Sequence, residues 1–147
     1  MKSDLHIVVR APLDRIFDLA VDVERWPEIL PHYRYVRRLP GSAERHFAMG
    51  ARRGPIPVRG EAIQRPMREE RRIEFHHTGG VTRGMEVAWR FTPRDGSVDV
   101  AIEHELRLGW PIVGELAARY VIGPQFIEAI AGRTLRRVKE LAEATDR

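Results

Sequence analysis

His104 is the residue whose type and position most directly indicate chemistry. In the segment 98–108 it shares its alternate positions with Val100, Ile102 and Leu106, which places an ionisable ring on the apolar face of a predicted strand. Two interpretations remain open. A core histidine would satisfy its ring on a backbone carbonyl or a neighbouring hydroxyl, whereas a functional one would bind a carbonyl or phenol of a ligand or exchange protons with it.

Trp89 lies on the inward face of the preceding predicted strand, together with Met85 and Val87. These side chains either belong to the core or form a polarizable wall for a flat aromatic or polyene ligand. Arg83 has the same parity near the start of the strand. We expect it to point outward, and its alternative role is to cap the acidic end of a ligand.

Gln64 is a further candidate, because it follows Gly60 and Ala62 on alternate positions and these small residues leave room for a ligand. Two tyrosines, Tyr33 and Tyr120, can offer hydroxyl groups at the mouth of a cavity or inside it. Together these residues predict a site with a few polar groups in apolar surroundings.

Several kinds of site are excluded by residue types and spacing. The chain has no cysteine, and its serines, Ser3, Ser42 and Ser97, lie at the terminus or in turns away from any histidine, which argues against a serine hydrolase. His76 and His77 point to opposite faces of a strand, as do the members of the group 103–105. Neither group offers a chelating set, so we expect no metal and no cofactor.

The positive charge of the chain does not indicate nucleic acid. Only two of the 25 basic residues are lysine, and the arginines are spread along the sequence among 21 acidic residues without an aromatic platform for bases. We therefore expect a solvated arginine-rich surface and no nucleic-acid partner. No stretch approaches the roughly 20 apolar residues of a membrane span, and no apolar signal region precedes the first strand, so we expect a cytoplasmic protein.

Strands and helices must position the candidate site residues. Apolar alternation predicts a first strand at 5–10, and two short helices follow between 12 and 31. About six more antiparallel strands are predicted from 33 to 108. The period then becomes helical, with a leading segment around Tyr120 and a long helix from about 124 to 144. Turn chemistry separates the strands at 40–42, 53–55, 78–80 and 94–96.

This order of elements predicts one α+β domain over residues 1–147, with a curved sheet of about seven strands around the C-terminal helix. A cavity remains between sheet and helix unless bulky side chains fill it. The residues expected to line it are Met85, Val87, Trp89 and Ile102 on strands and Ile127 and Ala131 on the helix.

Four stretches resemble the START-like (SRPBCC) superfamily, in its branch of polyketide cyclases, dehydrases and Coq10-like lipid-transport proteins. They are Val8-Val9-Arg10-Ala11-Pro12 with Ile16-Phe17, then Asp22 to Glu28 around Trp26, then Gly79-Gly80 through Met85 to Trp89, and the closing helix from Arg133 to Glu143. The resemblance covers nearly the whole chain. It implies the helix-grip (Bet v 1-like) fold and a pocket lined by Tyr33, Trp89 and the inner face of 60–64.

For function, the resemblance implies binding of a polyketide, quinone or lipid type of molecule. Cyclases of the family tend to carry an arginine on the inner face before a proline, and here Gln64 holds that position while Arg65 takes the other parity. This substitution argues against a cyclase unless the strand register shifts by one residue. In an enzyme, His104 and Tyr33 would transfer protons and Gln64 or Arg83 would orient carbonyls. The alternative is a non-catalytic quinone or lipid carrier in which His104 anchors a polar head, and we expect a monomer or homodimer.

Overall fold

The computed structural model describes residues 2–41, 43–53, 55–80, 82–106 and 124–144. Seven strands form one antiparallel sheet with the order β1-β7-β6-β5-β4-β3-β2. The strands are β1 Lys2–Val9, β2 Tyr33–Arg38, β3 Arg45–Arg53, β4 Ile56–Met67, β5 Arg72–Gly80, β6 Met85–Arg94 and β7 Ser97–Leu106. The helices are α1 Leu13–Val21, the short α2 Trp26–Ile29 after a 3-10 turn at Val23–Arg25, and α3 Pro124–Ala144. The predicted fold class is confirmed.

The first helix forms where the sequence predicts it. Pro12 caps α1 with extended backbone, and Asp14 lies in the first turn, where a carboxylate favours the helix dipole. Ile16, Phe17 and Ala20 are buried, and the Phe17 ring packs 5.2 Å from that of Phe91 on β6. Burial of each large side chain contributes about 1.5–3 kcal/mol, so this apolar stripe fixes α1 against the sheet.

The long helix α3, Pro124–Ala144, covers the segment for which the sequence shows helical periodicity. Its buried residues Ala131, Leu135, Val138 and Ala142 recur at spacings of three and four. The helix packs against β1. The leading helical segment predicted around Tyr120 lies outside the described residues.

The parity predicted for β6 and β7 is also observed. Met85, Val87, Trp89 and Phe91 are buried on β6, and their partners across the ladder on β7 include His104 opposite Val87 and Ile102 opposite Trp89. The inner faces of two neighbouring strands therefore present their side chains to the same space.

One predicted turn is wrong. The sequence places a turn at 78–80, but β5 continues through Gly80 and the turn follows at 82–84. Gly80 has a positive φ of 80°, and a Cβ there would overlap the carbonyl oxygen of Arg59. Gly80 thus allows β4 and β5 to approach each other closely beside a register shift at Glu61/Ala62. In the sequence, a glycine that serves such an approach looks the same as a glycine in a turn.

Candidate functional site

A cavity of about 110 Å³ lies between the inner face of the sheet and α3. Its walls are mostly apolar and aromatic, and α3 contributes Ile130, Ala131 and Thr134. The hydroxyl of Thr134 donates to the carbonyl oxygen of Ile130 at 2.8 Å, so its donor is already used within the helix. Large apolar side chains of the wall include those of Trp26, Met49, Phe75, Met85, Trp89, Ile102 and Ile130.

Trp26 organises the aromatic wall. Its ring lies 6.1 Å from the rings of both Trp89 and Phe75 and 5.4 Å from that of Tyr33. The indole Nε1 donates to the carbonyl oxygen of Leu19 at 3.2 Å, which fixes the ring orientation. Trp26 is not among the site residues predicted from the sequence, although it lies in a stretch that resembles the START-like superfamily.

His104 lines the cavity from β7. Its Nδ1 is buried and has no hydrogen-bond partner among the described residues. Burial lowers the pKa of His104 to about 4, and the nearby Asp4 opposes that shift. The imidazole is therefore uncharged at neutral pH and retains unused hydrogen-bonding capacity.

His77 is a second histidine in the cavity, and the sequence analysis did not assign it. Its Nδ1 lies 2.9 Å from the hydroxyl oxygen of Thr82, which also lines the cavity. Burial is the main cause that lowers the pKa of His77 to about 3, and the neighbouring His104 and His76 contribute in the same direction. His76 has the opposite parity and pairs with Glu86, so each residue of the pair points to its own face, as the alternation predicts.

Tyr33 lines the cavity from the other side. It belongs to β2, an edge strand of the sheet, whereas β7 lies next to the opposite edge. Burial raises the pKa of Tyr33 to about 12. The phenol therefore stays protonated at neutral pH and can donate a hydrogen bond to a carbonyl oxygen.

Gln64 is buried, as its parity indicates, but it is not among the residues that line the cavity. Its Nε2 donates to the carbonyl oxygen of Val21 at 3.0 Å, and its Oε1 accepts from Nε of Arg45 at 2.7 Å. Both polar ends are thus committed to joining the end of α1 to the sheet. The expected role of Gln64 in orienting a ligand finds no support in this position.

The register of β4 also decides the parity of Arg65. Its side chain is exposed and pairs with Glu44 at 3.3 Å, so no one-residue shift brings a cation to the inner face before Pro66. The strand presents Gln64 inward and Arg65 outward.

The other predicted site residues are placed as follows. Met85, Val87, Trp89, Ile102 and Ala131 line the cavity. Arg83 is exposed and does not line it, which agrees with the outward orientation expected from the sequence and not with the ligand-capping role. Tyr120 and the side chain of Ile127 lie outside the described residues. Over the described ranges there is no cluster of three or more histidine or acidic residues that could hold a metal ion, and no helix there is long and apolar enough to cross a membrane.

A curved antiparallel sheet that encloses a cavity against a long C-terminal helix defines the helix-grip class of START/Bet v 1 folds. Residues 9–121 match the family model described as polyketide cyclase/dehydrase and lipid transport. The chain belongs to this family. It matches no curated protein sequence.

Solved structures of similar fold cover the full chain at low sequence identity. TTHA0849 from Thermus thermophilus has a TM-score of 0.83 at 20% identity, with all of both chains covered. The ZhuI aromatase/cyclase from a Streptomyces species has a TM-score of 0.81 at 18% identity, covering 100% of this chain and 96% of that one. A START superfamily protein from Mycobacterium smegmatis has a TM-score of 0.74 at 13% identity, with 98% of both chains covered. At these identities the similarity establishes the fold alone.

Proposed function

We propose that this protein binds a mostly apolar small molecule of polyketide, quinone or lipid type in the cavity between its sheet and α3. The observation that carries the proposal is the cavity wall, in which Trp26, Phe75 and Trp89 meet the methionine side chains of Met49 and Met85. Flat, polarizable walls of this kind suit an aromatic or conjugated ligand. Membership of a family of cyclases and lipid-transport proteins is consistent with it.

Binding and carriage are favoured over polyketide cyclisation. Cyclisation develops negative charge on enolate oxygens, and a preorganised cation or set of donors must stabilise that charge. Among the described lining residues the only cation is Arg59, whose side chain is exposed. His77 and His104 are uncharged, so they can hydrogen-bond an oxygen but supply no fixed positive charge.

Native mass spectrometry of the protein purified from its own host tests this proposal. We expect a mass excess that corresponds to a bound apolar molecule and disappears after extraction with organic solvent. The same preparation, denatured before measurement, is the control and should give the mass of the chain alone. Preparations without any mass excess that also fail to bind added aromatic probes would contradict the proposal.

A further inference from the structure

Three polar residues of the cavity wall, His77, Thr82 and His104, form what we call the histidine end. His77 and Thr82 are hydrogen-bonded at 2.9 Å, and His104 lines the same cavity from β7, which only β6 separates from β5. They reach the cavity from β5, from the turn after it and from β7. Tyr33 lies on the distant strand β2, so the polar groups are not spread evenly over the wall.

The histidine end has hydrogen-bonding capacity that the protein does not use. Nδ1 of His104 is buried and has no hydrogen-bond partner within the described part of the chain. Unpaired polar groups in an apolar cavity are unfavourable, and a ligand that pairs with them gains that free energy on binding. A half-turn about the Cβ–Cγ bond exchanges the two edges of an imidazole within the same volume, so either nitrogen of His104 can face a ligand.

The chemistry of these groups selects among oxygen functions. A neutral imidazole presents one donor and one acceptor, and a hydroxyl both donates and accepts, so it pairs with the ring in either tautomer. A carboxylate only accepts, and it would lose its hydration beside two uncharged rings. The exposed Arg59 is the one described lining residue that could attract it.

We propose that the histidine end binds the hydroxyl group of an uncharged aromatic ligand, a phenol or an enol, and that the cavity excludes the corresponding carboxylates. This inference rests on the proposed ligand-binding function and narrows the class of ligand. It gives His77 and Thr82 a role, alongside His104, in recognising the hydroxyl group of the ligand.

Three probes of the same shape test the inference: toluene, 4-methylphenol and 4-methylbenzoate. Titration at pH 7 followed by protein NMR gives a dissociation constant for each. We expect 4-methylphenol to bind about tenfold more tightly than toluene, because one net hydrogen bond contributes about that difference in affinity. We also expect it to bind at least about tenfold more tightly than 4-methylbenzoate.

Variants locate the preference. His104→Leu should reduce the ratio of phenol to toluene affinity to within about threefold of unity while toluene affinity changes little, and Thr82→Val should lower the ratio partway. His104→Asn retains a donor and an acceptor and should keep most of the preference. His76→Leu is the matched control, because His76 is the outward-facing neighbour of His77 and should leave all three constants unchanged.

The outcomes separate the two proposals. Equal affinity for toluene and 4-methylphenol, or tightest binding of 4-methylbenzoate, overturns the inference and leaves apolar ligand binding intact. Measurable binding of 4-methylbenzoate that is lost in Arg59→Gln would show that the cavity admits a carboxylate beside Arg59, which contradicts the proposed exclusion. Failure of all three probes to bind would count against the proposed function and the inference with it.

Discussion

At the scale of single residues, the buried histidines make folding depend on pH. The folded-state pKa of His77 is about 3, whereas an unfolded histidine titrates near 6.5. Between these two pKa values the unfolded chain binds a proton at His77 that the folded chain does not. His77 therefore has no effect of this kind on the free energy of unfolding above about pH 6.5, and it lowers that free energy as the pH drops toward the folded pKa.

His77→Gln tests this dependence. Glutamine keeps a hydrogen-bonding group near Thr82 but does not titrate. Between pH 7 and pH 4 we expect the variant to lose less free energy of unfolding than the wild type, by up to about 3 kcal/mol. Urea denaturation at a series of pH values measures the difference. Parallel curves for His77→Gln and wild type would refute the predicted dependence.

At the scale of elements, Gly80 allows β4 and β5 to approach each other. Its φ of 80° is unfavourable for a side chain, and a Cβ there would also overlap the backbone of Arg59. Gly96 has a similar φ of 73° in the turn between β6 and β7, but no atom lies within 4 Å of its Cβ position. A side chain at Gly96 would therefore meet only the conformational cost of the positive φ, whereas one at Gly80 would add the cost of steric overlap.

Alanine substitutions measure the two costs. Gly96→Ala should destabilise the fold by about 1–2 kcal/mol, the usual cost of left-handed backbone. Gly80→Ala should cost at least about 1 kcal/mol more, because backbone atoms cannot move aside as a flexible side chain can. Chemical denaturation of both variants gives the comparison, and equal losses would show that the overlap is relieved at no cost.

The elements also show where sequence reasoning reaches its limit. Alternation placed Trp89, Met85 and His104 on one face, because side chains on a strand alternate strictly and both strands are regular. The inward orientation of His77 follows the same alternation, since it shares its parity with the buried Ile73 and Phe75, but its hydrogen-bond partner Thr82 lies in a turn that the sequence placed at 78–80. The bond of Gln64 to Val21 joins residues 43 positions apart, so burial could be predicted from sequence but not the partner.

At the scale of the whole molecule, the cavity implies a conflict between packing and binding. Ala131 on α3 lines the cavity, and a larger side chain there would fill space that a ligand needs. We expect Ala131→Leu to weaken binding of 4-methylphenol at least about tenfold while the free energy of unfolding stays within about 1.5 kcal/mol of wild type or rises.

Ala129→Leu is the matched control for this prediction. Ala129 is an exposed residue of the same helix, so the added side chain points away from the cavity. NMR titration and thermal unfolding of the two variants give the comparison. Unchanged binding in Ala131→Leu would mean that the probe occupies another site.

Three hydrogen bonds anchor the C-terminal part of α3 to the rest of the fold. Toward its C-terminus, Lys139 donates to the carbonyl oxygen of Val8, Arg137 to that of Ile29, and Glu143 accepts from the backbone of Arg10. The residues that face the cavity, Ile130, Ala131 and Thr134, all precede these anchors. We expect ligand to exchange by local opening of the cavity-facing turns of the helix, because their separation from the sheet breaks none of the three anchoring bonds. In such an opening the contact of the helix with β1 would serve as the hinge.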